Sequence, residues 1–263
     1  MKDKLGILGI QVGVTPDKED NLRRALEFID EAFLRYKKID LICLPEMFYE
    51  FPEKEERLTA GQGTYERFEE AFSEYAKKYN VNIVTGTFPM RKEGKLYNTA
   101  LIMDRAGRTV GSYSKAHLFD AYDSRESDTF DRGDGIGIFD LDIGRIGVAV
   151  CYELRFPEYL RSLCLKDLEL LVVPAAFYTP RHDAWDILIK GAALSNLQYV
   201  LAVNQYGPEF FGRSSIVDPA GIVTARASDR EGMVYDIIDP DYQDELRARI
   251  NTYENRRAEL YDL

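Results

Sequence analysis

Histidine is almost missing from this chain: His117 and His182 are the two in 263 residues. They do not stand at metal-ligand spacing, so a histidine-based metal site lacks its ligands, and neither has the context of a general base. Cysteine is scarce as well. Cys43, Cys151 and Cys164 form an odd count without a CxxC pair, which argues against structural zinc and fits a reducing cytoplasm. Positive charge is outweighed, 34 Lys and Arg against 45 Asp and Glu for a net −11. A chain so acidic has no general field for nucleic acid or anionic membrane. No apolar run reaches membrane-spanning length, so none is expected to cross a bilayer. The opening M-K-D-K-L-G-I-L-G-I enters an apolar strand at once, without the h-region and cleavage site of a signal peptide. No Gly-, Pro- or Ser-rich linker divides the sequence, which reads as one domain over 1–263.

What is present is an alternation of apolar runs and helical patterns. Hydrophobic residues make up 45% and charged residues 30%, ordinary globular composition. Strands are expected at Leu5–Val14, Asp40–Leu44, Val81–Phe88, Ile146–Val150, Glu169–Val173 and Tyr199–Asn204. Helices are expected from Pro16 onward (Leu22, Leu26, Ile29 and Phe33 on one face), at Tyr65–Tyr79, at Pro157–Lys166 and at Ala184–Asn196. Hairpins are signalled by Asp-Arg-Ala-Gly between Asn98–Met103 and Thr109–Tyr113, and by Pro219-Ala220-Gly221. Lys115 to Gly135 is polar and without period, a long loop of the kind that often carries function. The second half repeats the element order of the first, without residue-level repetition. The expected fold is layered α/β, two sheets packed face to face with helices outside.

Three strands end on an unusual polar residue: L-I-C-L-P-E on Glu46, G-S-Y-S-K on Lys115 and V-A-V-C on Cys151. Ligand sites of α/β sheets lie beyond the carboxyl ends of strands, so the three side chains are expected to converge. Their chemistry is complementary. A cysteine must lose its proton to attack a carbonyl; a glutamate in a buried setting serves as its base; a lysine steadies the thiolate and then an oxyanion. Together they suffice for acyl transfer from an amide with no metal or cofactor. Taken singly, each has an ordinary reading: Cys151 as core packing, Glu46 as a loop carboxylate or helix cap, Lys115 as a solvated charge.

At L-P-E-M-F (44–48), Y-S-K-A-H-L-F (113–119) and C-Y-E-L-R-F-P-E (151–158) the sequence resembles the nitrilase superfamily of carbon–nitrogen hydrolases. G-R-S-S-I-V-D-P-A-G (212–221), expected as a polar loop, and the closing R-R-A-E-L-Y (256–261) extend the likeness over nearly the whole chain. The resemblance implies a four-layer αββα sandwich with a Glu-Lys-Cys triad. Cys151 is then the nucleophile and Glu46 the base, while Lys115 faces the oxyanion beside the backbone N–H of Tyr152. It also implies a second glutamate in the loop after the lysine, which falls on Glu126; a solvated loop charge is the plain alternative. His117 is expected as a structural loop partner. A small amide and water are the implied partners, and a homodimer of stacked sheets the implied assembly.

C-Y-E-L-R-F-P-E is most similar to the ω-amidase branch, whose members remove the terminal amide of short dicarboxylate monoamides. That likeness sets Arg155 against the substrate carboxylate, as bidentate guanidinium chemistry allows; the competing reading pairs Arg155 with Glu153 or Glu158. Phe177 and Tyr178 are expected to wall the pocket or to be plain core. One departure stands out. Where relatives carry an Arg and an acid three apart after the tryptophan, this chain has Ala192 and Ser195, read as a coupled loss of an ion pair. Two other readings stay open: an N-carbamoyl-amine hydrolase of the same superfamily, and an inactive binding or scaffold protein that keeps the fold.

Overall fold

The computed structural model describes residues 2–122 and 124–260. In chain order its elements are β1 (Leu5–Gln11), α1 (Lys18–Arg35), β2 (Leu41–Cys43), α2 (Tyr65–Tyr79), β3 (Asn82–Lys92), β4 (Lys95–Met103) and β5 (Thr109–Ser114). A two-residue pair follows, β6 (Asp120–Ala121) with β7 (Ser124–Arg125), then β8 (Ile138–Leu141), β9 (Gly144–Val148), α3 (Pro157–Cys164), β10 (Leu170–Ala175) and α4 (His182–Asn196). The chain continues with β11 (Val200–Asn204), β12 (Ser215–Val217), β13 (Val223–Arg226), β14 (Gly232–Ile238) and α5 (Pro240–Arg249).

The strands build two six-stranded sheets, ordered β14-β1-β2-β3-β4-β5 and β13-β12-β11-β10-β9-β8. In each, three central strands run parallel and the flanking ones antiparallel. The period-2 alternation of β1 sorts its side chains between two cores. Leu5 and Ile7 join the cluster that runs through the second sheet, whereas Leu8 and Ile10 pack with Leu22 and Ile29 of α1 and Phe68 and Phe72 of α2. Each of those fully buried large side chains contributes about 1.5–3 kcal/mol. The second sheet is covered on its far side by Leu160 and Leu163 of α3 and Trp185 and Ile189 of α4. The order is therefore helix, sheet, sheet, helix, the expected four layers. Between the sheets Gly9 lets the backbones close up, since a Cβ there would stand 2.7 Å from Val203 Cγ2.

Several expectations need correction. Asp17, not Pro16, starts α1, its carboxylate accepting from the N–H groups of Glu19 and Asp20. The segment 212–221 is not simply a polar loop, because Ser215–Val217 form the fully buried β12 between loop residues 212–214 and the turn beyond Val217. The aperiodic stretch after Lys115 holds the β6–β7 pair and a short 3-10 helix at Glu126–Asp128. β8, β14 and α5 were not expected at all. β14 is mostly half-buried, with only Val234 and Ile238 buried, and lies at a sheet edge on β1. α5 has a weak apolar face; Gln243 anchors it by bonding Gln198, the Tyr199 N–H and the Leu168 carbonyl.

Candidate active site

The carboxyl ends of β2, β5 and β9 do converge. Glu46 lies just beyond β2 in a loop stapled to the second sheet: its N–H donates to the Ala175 carbonyl at 3.3 Å, and Gln205 Nε2 donates to its carbonyl at 2.6 Å. That loop passes over a bulge in β3 at Gly86, where φ is +70° and a Cβ would stand 2.2 Å from the Pro45 oxygen. Only glycine suits that position. Lys115 follows β5 directly, its N–H donating to the Asn98 carbonyl of β4 at 2.8 Å. Cys151 follows β9 and opens a 3-10 helix, Cys151–Arg155. Its φ of +48° is left-handed, a conformation that costs a non-glycine residue about 1–2 kcal/mol and gathers at functional sites.

The side-chain tips form one buried group. Lys115 Nζ donates to Glu46 Oε1 and to Glu126 Oε2, both at 2.8 Å, with the lysine only 2% exposed. Asn98 Nδ2 donates to Glu46 Oε1 at 2.8 Å and to Glu126 Oε1 at 2.9 Å. The Ala176 N–H holds Glu46 Oε2 at 2.9 Å, and the Phe119 N–H holds Glu126 Oε2 at 2.7 Å. Cys151 lines the same space as Glu46, Lys115 and Ala176, and its thiol feels the charges of Glu46 and Lys115.

Electrostatics in this group follow from burial and charge. Burial, then the Glu46 charge, push the Cys151 thiol well above its ordinary range, and Lys115 offsets this only in part. The resting sulfur is a thiol whose neighbour is a carboxylate. Burial works against a charge on Lys115, yet Glu126 and Glu46 outweigh it and hold the ammonium well above the usual lysine range. One cation thus sits between two carboxylates beside a neutral sulfur. This arrangement can move a proton from sulfur to carboxylate and meet new negative charge with a fixed ammonium.

The group opens into a cavity of about 380 Å³ that Glu46, Lys115, Glu126 and Cys151 line together with Tyr152, Arg155, Phe177 and Tyr178. All eight residues expected at the site therefore face one space. Tyr152 lies in the first turn of the 3-10 helix, where an N–H has no partner within the helix. Phe177 serves both readings, lining the cavity while packing on Trp185 at 5.4 Å between ring centroids. Arg155 is exposed and pairs with neither Glu153 nor Glu158 among the described residues. Among those residues no group of three or more His, Cys, Asp or Glu side chains is arranged to hold a metal ion, and no helix is long and apolar enough to cross a membrane.

The carbon–nitrogen hydrolase family model matches residues 4–248. The omega-amidase of Homo sapiens is 33% identical over 269 residues, covering 96% of this chain and 95% of that protein. The omega-amidase NIT2-A of Xenopus laevis is 34% identical over 271 residues, with 97% and 95% covered. Among solved structures, Nit3 of Saccharomyces cerevisiae, a member of branch 10 of the nitrilase superfamily, superposes with a TM-score of 0.88 at 29% identity, covering 97% of both chains. The chain belongs to the carbon–nitrogen hydrolase family. Its fold is the nitrilase fold, and amidase-type hydrolysis of a C–N bond is its class of activity.

Within this hydrolase, three residues at the site escaped the sequence reading. Asn98 touches both glutamates by its side chain and Lys115 by its carbonyl; a polar residue inside the apolar run Asn98–Met103 was its only signal. Glu153 is fully buried. Its Oε1 accepts from Tyr113 Oη at 2.7 Å and from the N–H groups of Ala116 and His117, and its Oε2 accepts from the Val150 N–H at 2.7 Å. One carboxylate thereby ties the segment after Lys115 to the strand end before Cys151. His117 is a partner in this tie, with Nδ1 3.2 Å from Glu153 and its ring stacked on Phe156 at 4.1 Å. Arg181, at the cavity mouth, is the third. The departure at Ala192 and Ser195 stays outside the cavity: Ala192 is core, and Ser195 is exposed with its carbonyl accepting from Arg161.

Proposed function

We propose that this carbon–nitrogen hydrolase is a cysteine-dependent ω-amidase that hydrolyses small carboxylate-bearing amides through a thioester and releases ammonia. The observation that carries the reading is the buried Glu46–Lys115–Glu126 cluster that shares one cavity with Cys151. The carboxylate of Glu46 takes the thiol proton as the sulfur attacks the amide carbon. Negative charge moves to the carbonyl oxygen, which the Lys115 ammonium and the Tyr152 N–H stabilise. The protonated Glu46 returns its proton to the leaving nitrogen, the C–N bond breaks and ammonia departs. Glu46 next takes a proton from water, whose oxygen attacks the thioester; the C–S bond breaks and the thiolate recovers the proton. Glu126 keeps Lys115 charged and in place. Phe177 and Tyr178 wall the acyl chain, and Arg155, which lines the same cavity without an ion pair among the described residues, meets the carboxylate by bidentate guanidinium bonding.

A homodimer belongs to the same proposal, with stacking through the α3/α4 layer. That face carries Ile187, Leu194 and Ile222, which are 70%, 56% and 60% exposed, whereas Leu34 is the large exposed aliphatic on α1.

Ammonia release from 2-oxoglutaramate, succinamate and N-carbamoyl amino acids, compared between the wild type and Cys151→Ala, tests the reading. Turnover of the first two that vanishes in the variant is expected. Turnover confined to carbamoyl compounds overturns the ω-amidase assignment, and ammonia release that survives in Cys151→Ala overturns covalent catalysis.

A further inference from the structure

Two guanidinium groups at the cavity, Arg155 and Arg181, form no ion pair with a carboxylate among the described residues. In a chain carrying eleven more acidic than basic side chains, most arginines are claimed by a neighbouring acid, and these two are left for an anion that enters the cavity. Arg155 already has a use in the proposed reaction. Arg181 does not.

Arg181 is half-buried just ahead of α4, with its guanidinium over the Tyr122 ring at 4.3 Å and flanked by Phe119 and Tyr178 at 5.8 and 5.9 Å. Stacking on aromatic faces uses the flat side of the guanidinium and leaves its N–H edge unbonded. The stack also fixes the side chain, so little rotamer entropy is left to lose when an anion binds that edge. Tyr122 is itself 77% exposed, on a backbone with φ of +57°: a solvent-facing ring that meets this cation and, at 6.4 Å between centroids, the Phe119 ring. Glu53 and Glu55 line the same mouth, and Lys54 is paired with Asp128. The mouth is therefore no uniform cationic funnel, and an anion there must be met by a particular guanidinium. Space permits a larger substrate, since a cavity of about 380 Å³ holds about a dozen waters at ~30 Å³ each, more than a four- or five-carbon amide displaces.

We propose that Arg181 is a specificity-determining residue that binds a second anionic group, so that amides carrying two carboxylates, one for Arg155 and one for Arg181, are preferred over amides carrying one. This rests on the amidase reading above and narrows its substrate class. A matched pair isolates the second anion: N-succinylglutamine and N-acetylglutamine share the terminal amide and the α-carboxylate and differ by a carboxymethyl extension. The wild type is expected to favour N-succinylglutamine in kcat/KM by at least about tenfold, the effect of one charge-assisted bidentate contact. That ratio falls toward one in Arg181→Gln, is partly kept in Arg181→Lys, and shrinks as salt is raised. A merely structural role in holding the Tyr122 hairpin lowers both substrates alike and leaves the ratio unchanged, which overturns the proposal. So does a wild-type ratio near one, or turnover of 2-oxoglutaramate with neither glutamine derivative accepted; in both cases the amidase reading survives. A wild type that turns over no amide overturns both.

Discussion

Cys151 is held as a thiol by burial and by the negative charge of Glu46, so the carboxylate proposed as the base is also what keeps the sulfur quiet at rest. This has a testable sign. Glu46→Gln removes a negative neighbour while Lys115 stays, which favours the thiolate and lowers the thiol's pKa. Alkylation of Cys151 by iodoacetamide at neutral pH is expected to speed up by about tenfold, the effect of roughly one pH unit, while amide turnover falls by at least about a hundredfold. Slower alkylation in the variant would contradict the assignment of Glu46 as the neighbouring charge. At this scale the sequence was informative about types and poor about contacts. Glu46, Lys115 and Cys151 were legible because a polar residue ending an apolar run is conspicuous. Asn98 and Arg181 were not, since an asparagine in a strand and an arginine in a loop become meaningful only through partners distant in the chain.

At the scale of elements, three strand ends from two sheets must be fixed relative to one another, and buried polar ties do it. Glu153 joins the Ala116–His117 backbone to the Val150 N–H. Glu153→Ala leaves the buried Val150 N–H and Tyr113 hydroxyl without this acceptor, at about 1–3 kcal/mol each before relaxation, and frees the part-buried Ala116 and His117 N–H groups. A loss of at least about 3 kcal/mol in urea denaturation is expected, with a fall in kcat, and a loss under 1 kcal/mol would show the tie to be incidental. Periodicity made β1 and α2 readable because their faces are decided locally, by alternation and by Phe68 and Phe72 on one stripe. It missed α5 and β14 for a physical reason. α5 docks through the amide of Gln243, and β14 is a partly exposed edge on β1; neither needs a continuous apolar face.

At the scale of the molecule, the two sheets and their helices make one cavity into which all the expected site residues project. The dimer proposed through α3 and α4 predicts a solution mass near twice the 30.2 kDa of the chain. Ile187→Asp combined with Ile222→Asp is expected to halve that mass in analytical ultracentrifugation, because a charge on each protomer must be desolvated at the interface. An unchanged dimer would place the interface elsewhere. The central claim, that the sulfur of Cys151 becomes acylated, is tested most directly by intact-protein mass after rapid acid quenching of the enzyme mixed with 2-oxoglutaramate or succinamate. The account predicts a transient gain equal to the substrate less ammonia, carried by the peptide containing Cys151 and absent from those containing Cys43 and Cys164. Steady turnover with no such adduct at any quench time, together with unimpaired hydrolysis by Cys151→Ala, would contradict it.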